Sequence, residues 1–467
     1  MHDARVSPRL LTVLVYAALS TAIVSSLGML LVPTISRELD VSVASAQWML
    51  TVNLLVGAVA TPVMGRLSDG PHKKRILVTA LAIILAGSIL AAVATTFPVF
   101  LIGRAMQGLT YGIVPMTIAI GRRYLPADRV TVGIASLSVT VATGIGIGYP
   151  LTGIIAGSFD YEWAFWFAAL FVASAIVVVV RGVPRGPDES APRVPFDLPG
   201  AILIGVGLAA LLAGVSEGEH WGWTSPATLG VLALAVIAIA AWIVVELRSD
   251  HPLINLRVMR HGDVLLANAT GLGLGAAMYL GLSVASLIAQ APTETGYGIG
   301  MPVFWAGFVM LPLSVGSFGA NRIVHAVAGR IRLSALLPFG AGVVTGSTVL
   351  LLVAHDSLWE ILAGMLLFGV GIGTTYAAMP GLIARSVITD ELGSAVSFNQ
   401  VLRTVGGSIG SAVAGAVLAA HMAADAHPTG TGITLTLALG VAGCAVVFLG
   451  LVVHHLRTRS RHDAAVA

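Results

Sequence analysis

The chain has 467 residues, 57% of them hydrophobic and 10% charged, with a net charge of +3 and a mean hydropathy of +0.93. A water-soluble core has no use for that much apolar surface, whereas each helix that crosses a bilayer needs about 20 mostly apolar residues. The small positive charge, with no basic face interleaved with aromatics, excludes nucleic-acid binding, and the single cysteine, Cys444, excludes an internal disulfide or a thiolate metal cluster.

In chain order, apolar stretches of spanning length fall at 10–33, 46–65, 76–96, 98–120, 132–157, 163–180, 198–216, 227–246, 264–289, 300–320, 333–354, 358–384, 393–420 and 432–455. Long unbroken runs imply helices rather than alternating strands. The first run exceeds a signal-peptide core and no cleavage site follows it, so it is read as the first helix of the mature protein. The expected fold is all-α: an integral membrane protein of 14 transmembrane helices.

Charge placement supports this count. With the N-terminus inside, 22 of the 25 Lys and Arg fall on the inner side, Arg37 falls outside, and Arg104 and Arg403 lie within spans 4 and 13. So uneven a split follows the positive-inside rule. It predicts a multi-pass protein of the cytoplasmic membrane with both termini in the cytoplasm.

Two polar connections, around 182–197 and 248–263, bracket spans 7 and 8. The first, rich in Pro, Gly and charge, reads as a linker. The expected organisation is a six-helix half (1–181), the linker (182–197), an inserted helix pair (198–247), a cytoplasmic loop (248–263) and a second six-helix half (264–467). Transporters are often built from such repeats, with the substrate between them near the midplane.

Three segments carry candidate chemistry. Between spans 2 and 3 runs Gly65-Arg-Leu-Ser-Asp69-Gly-Pro-His72-Lys73-Lys74-Arg75. Gly65 permits close helix approach. Asp69 suits a facing helix N-terminus or an Arg, and the basic run suits helix C-termini and lipid phosphates. Such contacts can form in one conformation and break in another, although a merely topogenic loop would look similar. Span 4 carries Arg104, Gln107, Gly108, Tyr111 and Gly112 at helical spacing on one face. An Arg this deep usually faces a cavity or a partner, the bland alternative being an Arg that reaches the nearby outer interface. Span 5 carries Gly144, Gly146 and Gly148 followed by Pro150. These glycines let a neighbouring helix pack and slide, and Pro150 loosens the backbone ladder. With no strand before it, the segment is not a nucleotide loop.

In this order and spacing the three segments resemble the conserved sequences of the major facilitator superfamily: its helix 2–3 loop motif, its helix 4 Arg motif and its helix 5 antiporter motif. Fourteen spans resemble the drug:proton antiporter branch, and the run from Asp390 through Asn399, Gln400, Arg403 and Gly410 is similar to the start of that branch's penultimate helix. The resemblance implies export of organic compounds by alternating access, driven by a proton gradient, with no cofactor. His72 departs from it, standing where the loop motif usually has a second Gly. Span 1 also departs: it offers only hydroxyls such as Ser20 and Thr21 where relatives often hold an acid, and no Asp or Glu lies at mid-membrane. The remaining coupling candidates are Asp40, Asp69, Glu217, Glu219 and His325.

Polar residues in otherwise apolar helices mark the expected cavity: Asn53, Arg104, Gln107, Asn268, Asn399, Gln400 and Arg403. Aromatic candidates are Trp48, Tyr111, Tyr149, Tyr279, Trp305 and Tyr376. Apolar walls with few polar anchors suit a drug-like or amphipathic small molecule, and two buried Arg without a buried acid suit neutral or anionic compounds at least as well as lipophilic cations. Export of an endogenous metabolite or lipid is the alternative, followed by a membrane-embedded enzyme. For the latter no H-E-x-x-H, G-x-S-x-G or intramembrane acidic cluster is present. No metal site is expected, and the protein is expected to act as a monomer.

Overall fold

The computed structural model describes residues 9–28, 31–41, 43–184, 196–259, 262–327, 333–388, 391–423 and 427–466. Among these, eighteen α-helices follow one another: α1 Leu10–Ser26, α2 Val32–Glu38, α3 Val43–Asp69, α4 Lys73–Ala92, α5 Phe97–Gln107, α6 Thr110–Tyr124, α7 Ala127–Ser158, α8 Glu162–Gly182, α9 Leu198–Trp221, α10 Pro226–Arg248, α11 Leu256–Met259, α12 Gly262–Gln290, α13 Val303–Ala306, α14 Leu311–Val327, α15 Leu333–Val353, α16 Leu358–Ser386, α17 Leu392–Ala419 and α18 Gly430–Val466. The described residues form no strand beyond an isolated bridge between Met422 and Pro428.

Twelve helices are long and apolar enough to cross a membrane, and α13 and α14 count as one through the 3-10 turn Gly307–Met310. The other two stretches read from the sequence are divided. Stretch 10–33 becomes the 17-residue α1, a break at Gly28 (φ 105°) and the short α2. Stretch 98–120 becomes α5 and α6, stepping at Gly108–Leu109. Most of the linker (185–195), together with Arg260, Arg330, Arg332 and Asp390, lies outside the described residues.

Helix ends follow local chemistry. Asp197 accepts from the Gly200 N–H (2.9 Å) and Ser225 from the Thr228 N–H (3.2 Å), while Ser357 and Glu360 form a capping box on α16. Large apolar side chains point outward, with Leu170 72% and Val236 67% exposed, as a lipid-facing surface requires.

Helices α1–α8 pack chiefly among themselves: α1 lies on α6, α7 and α8, and α4 on α5 and α8. Helices α12–α18 form a second set, with α12 on α16, α17 and α18, and α15 on α16 and α18. The sets meet where α3 and α6 pack on α17 and where α7 packs on α14 and α16. The hairpin α9–α10 leans on both α3 and α17 through α9. The ends of α3, α6, α8 and α16 and the starts of α4, α7 and α17 gather at one end of the bundle. They carry Arg66, Lys73, Lys74, Arg122, Arg181 and Arg385, and this is called the basic end below.

Candidate functional site

The loop between α3 and α4 is built into the basic end. The Asp69 carboxylate, 4% exposed, accepts from the backbone N–H of Gly393 (2.7 Å) and Ser394 (2.9 Å). These are orphan donors at the first turn of α17, where the helix dipole also favours an anion. Of the two partners read from the sequence, the structure uses the helix N-terminus. Gly65 makes room for this contact: a Cβ there would meet Ser397 and the Gly393 carbonyl. Lys73 Nζ donates to the Asp69 (3.1 Å) and Gly70 (2.7 Å) carbonyls, and Lys74 Nζ to those of Val180 and Val183 (both 2.7 Å). Both lysines thus sit at helix C-termini, of α3 and α8. Arg75 is exposed. A second strap, missed in the sequence, runs from Arg122 Nη1 to the Ala384 carbonyl on α16.

The glycines of α7 face two ways. A Cβ at Gly144 would strike Ala22, and one at Gly148 would strike Ser26, both on α1. A Cβ at Gly146 would strike Ser314 and approach the Met310 carbonyl (2.8 Å) across the boundary between the two sets. Ser314 Oγ seals that crossing by donating to the Thr143 carbonyl (2.6 Å). Pro150 is buried, and with Tyr149 it supports Gly307. α7 is therefore squeezed between a helix of its own set and one of the other.

Between the sets, midway along the bundle, lies a small cavity. Its walls come from α1 (Ala22, Ser25), α6 (Thr110, Tyr111, Val114), α12 (Met278, Tyr279), α16 (Tyr376) and α17 (Gln400, Arg403, Thr404). Its free interior is about 30 Å³, room for about two waters. No Asp or Glu lines it. Arg403 is 3% exposed and stacks 4.4 Å from the centre of the Tyr376 ring, while its Nε and Nη1 are buried without a partner. Gln400 Oε1 is likewise buried and unpartnered.

Of the residues read as cavity anchors, the structure places Tyr111, Gln400 and Arg403 on the wall, with Tyr279 and Tyr376 among the aromatics. Arg104, Gln107 and Asn53 stand behind it. Arg104 is fully buried; its Nη1 donates to Gln107 Oε1 (2.5 Å) and its Nε to the Met49 carbonyl (3.3 Å). Gln107 continues to Ser88 (2.8 Å), and Asn53 donates to the Arg104 carbonyl (3.1 Å). Asn268 and Asn399 join α12 to α17 by a 3.1 Å bond, with Asn399 about one turn nearer the basic end than Arg403. Trp305, 56% exposed, lines an outward-facing apolar groove with Phe308 and Leu362, and Trp48 is half-buried.

Among the coupling candidates, Asp40 is exposed and Glu217 half-buried, while the side chains of Glu219 and His325 lie outside the described residues. Ser20 and Thr21 spend their hydroxyls on carbonyls of their own helix. One buried acid escaped the sequence reading. Glu246, near the end of α10, is 2% exposed and accepts from Trp242 Nε1 (2.7 Å). Only the pairing of Trp and Glu four residues apart could have hinted at it.

Two interlocked sets of long apolar helices around a small cavity with a few polar anchors, strapped at one end, define a multi-pass membrane transport protein. The chain belongs to the major facilitator superfamily, whose profile matches residues 13–411. That family consists of transporters, not enzymes. Among curated relatives, the chain is 25% identical to the multidrug transporter protein MdtP of Bacillus subtilis, over 88% of this chain and 75% of that one. It is 27% identical to the tetracenomycin C resistance and export protein of Streptomyces glaucescens (89% and 76%) and 26% identical to the lincomycin resistance protein of Streptomyces lincolnensis (89% and 84%). In fold it is similar to the human organic anion transporter MFSD10, at a TM-score of 0.67 and 17% identity, over 95% of this chain and 99% of that one.

Proposed function

We propose that the protein is a secondary active exporter of drug-like or amphipathic organic molecules, working by alternating access and driven by protons. In this reading the broken stretches α1–α2 and α5–α6 complete fourteen spans. The sets α1–α8 and α12–α18 are the two six-helix halves, and α9–α10 is the inserted pair. The basic end faces the cytoplasm together with both termini, and the protein works as a monomer in the cytoplasmic membrane. The relatives named for multidrug transport and antibiotic resistance support the substrate class.

The observation that carries the reading is the Asp69 carboxylate on the first turn of α17. It ties one half to the other beneath the cavity, so the conformation described here is the one shut at the cytoplasmic side. Opening inward breaks two charge-assisted bonds. Proton uptake by Asp69 removes the charge that the helix terminus attracts and leaves a weaker acceptor, which frees α17 to move. Coupling is thereby assigned to the lock, in the absence of an acid on the cavity wall.

The test is transport in proteoliposomes with an imposed pH gradient and a panel of antibiotics and dyes. Uphill accumulation that an ionophore abolishes is the expected result. Asp69→Asn, inserted at normal levels, is expected to slow flux about tenfold or more, the loss of a strong hydrogen bond to a charged group. Flux that never runs uphill removes the proton-driven reading, and normal flux from Asp69→Asn removes the lock.

A further inference from the structure

We propose that the cavity, on widening beyond the roughly 30 Å³ it has here, binds its cargo as an organic anion: a planar aromatic ring bearing a carboxylate or acidic phenol, clasped by Arg403, with an adjacent hydrogen-bond donor read by Gln400. The proposal rests on the exporter reading above and names the substrate class for that site.

The site is built around a cation with no counter-charge on the cavity wall. The Arg403 guanidinium stays protonated, is 3% exposed, and has two N–H positions, Nε and Nη1, without a partner. No carboxylate lines the cavity to neutralise it. An isolated buried charge is costly, and the missing partner is an anion. Nε and Nη1 point from different edges of the guanidinium, so each offers an anionic oxygen its own charge-assisted bond.

The backbone holds the fork in place. A Cβ at Gly275 would collide with the Arg403 carbonyl, and one at Gly271 would lie 3.2 Å from its Cγ. α12 therefore presses on α17 at this level, and Asn399 pins the contact by donating to the Ala267 carbonyl (3.0 Å). The Arg403 side chain is left the direction across Tyr376, 4.4 Å from the ring centre. Tyr111, Tyr279 and Tyr376 add flat apolar walls suited to an aromatic ring. One helical turn before Arg403, Gln400 Oε1 is buried with no donor; a hydroxyl or N–H beside the anionic group supplies one.

Salicylate carries a ring, a carboxylate and an adjacent hydroxyl. Salicylamide is its neutral counterpart, and tetraphenylphosphonium is an aromatic cation of opposite charge. Binding of each to the purified full chain is read by tryptophan fluorescence and thermal shift, and transport is read in proteoliposomes. Salicylate is expected to bind at least about tenfold more tightly than salicylamide, with that preference lost in Arg403→Gln and partly kept in Arg403→Lys. The thermal transition of each variant without ligand confirms folding. Equal binding of salicylate and salicylamide, or a preference that survives Arg403→Gln, overturns the proposal. If tetraphenylphosphonium is pumped uphill while salicylate neither binds nor moves, the anion site fails and the exporter reading stands. If salicylate binds through Arg403 but no compound moves uphill, the anion site stands and the exporter reading fails.

Discussion

Arg104 and Arg403 are both buried arginines on helices of the central bundle, yet their surroundings differ in kind. Arg104 has its partners in its own set of helices: Gln107, the Met49 carbonyl and, at 5.8 Å, the Phe165 ring, with only Nη2 unpartnered. Arg403 has a tyrosine ring beneath it, two unpartnered nitrogens and a small cavity ahead. Depth in the membrane therefore assigns no role to an arginine; the inventory of its partners does. A side chain whose bonds are closed within one set of helices holds that set together. On the anion-site proposal, one whose bonds are open beside the cavity waits for a cargo that comes and goes.

The sharpest way to break this comparison is Arg104→Ala. Removing it leaves Gln107 half-satisfied in a dry interior and empties the volume against Phe165, a loss of about 3 kcal/mol. The expected result is a lowered thermal transition and less protein in the membrane, with Arg104→Lys recovering little because a point charge does not reproduce the fork. A fully stable Arg104→Ala protein that has lost only transport would move this residue into the working site.

The glycines of α7 test the same distinction at a somewhat smaller scale. Gly148→Leu drives a side chain into Ser26 within its own set, an overpacking cost of about 1–3 kcal/mol. Its signature is a drop in stability. Gly146→Leu meets Ser314 across the boundary. It is expected to wedge the two sets apart, changing flux and the accessibility of a cysteine probe in the cavity more than it changes the thermal transition. If the two variants behave alike, the division of α7 into an inner and a crossing face is wrong.

The smallest expected effect is the stability change in ligand-free Arg403→Ala. Deleting an uncompensated buried charge removes a desolvation cost along with some packing. The thermal transition should therefore shift by no more than the equivalent of about 1 kcal/mol, or even rise. A loss as large as that from Arg104→Ala would show that Arg403 is structural.

Much of this architecture was legible beforehand. Asp69 was read with two possible partners, and the structure selects one because the α17 N-terminus offers two unmet N–H groups. The basic run was read as a grip on helix C-termini, which is what Lys73 and Lys74 do. Less legible was the face each polar residue turns to. Positions 104, 107 and 111 share a face by spacing, yet the step at Gly108–Leu109 separates the first two, which turn behind the wall, from Tyr111, which lines the cavity. A helix apolar all round carries no stripe to say which neighbour it meets. For the same reason three alternate glycines did not disclose that they serve two different helices.

By itself the sequence determined what local composition can determine. Runs of apolar residues demand a membrane, because unpaired backbone cannot survive there except in helices. Charge asymmetry gives those helices an expected orientation. Short motifs mark where glycine, acid and arginine must be spent. Only the tertiary structure decided which side chains find their partners, since that depends on atoms brought within about 3 Å, some of them from helices hundreds of residues apart. The carboxylate of Asp69 and the amide of Ser394 are such a pair. Arg403 is the complementary case: its Nε and Nη1 find no partner among the described residues.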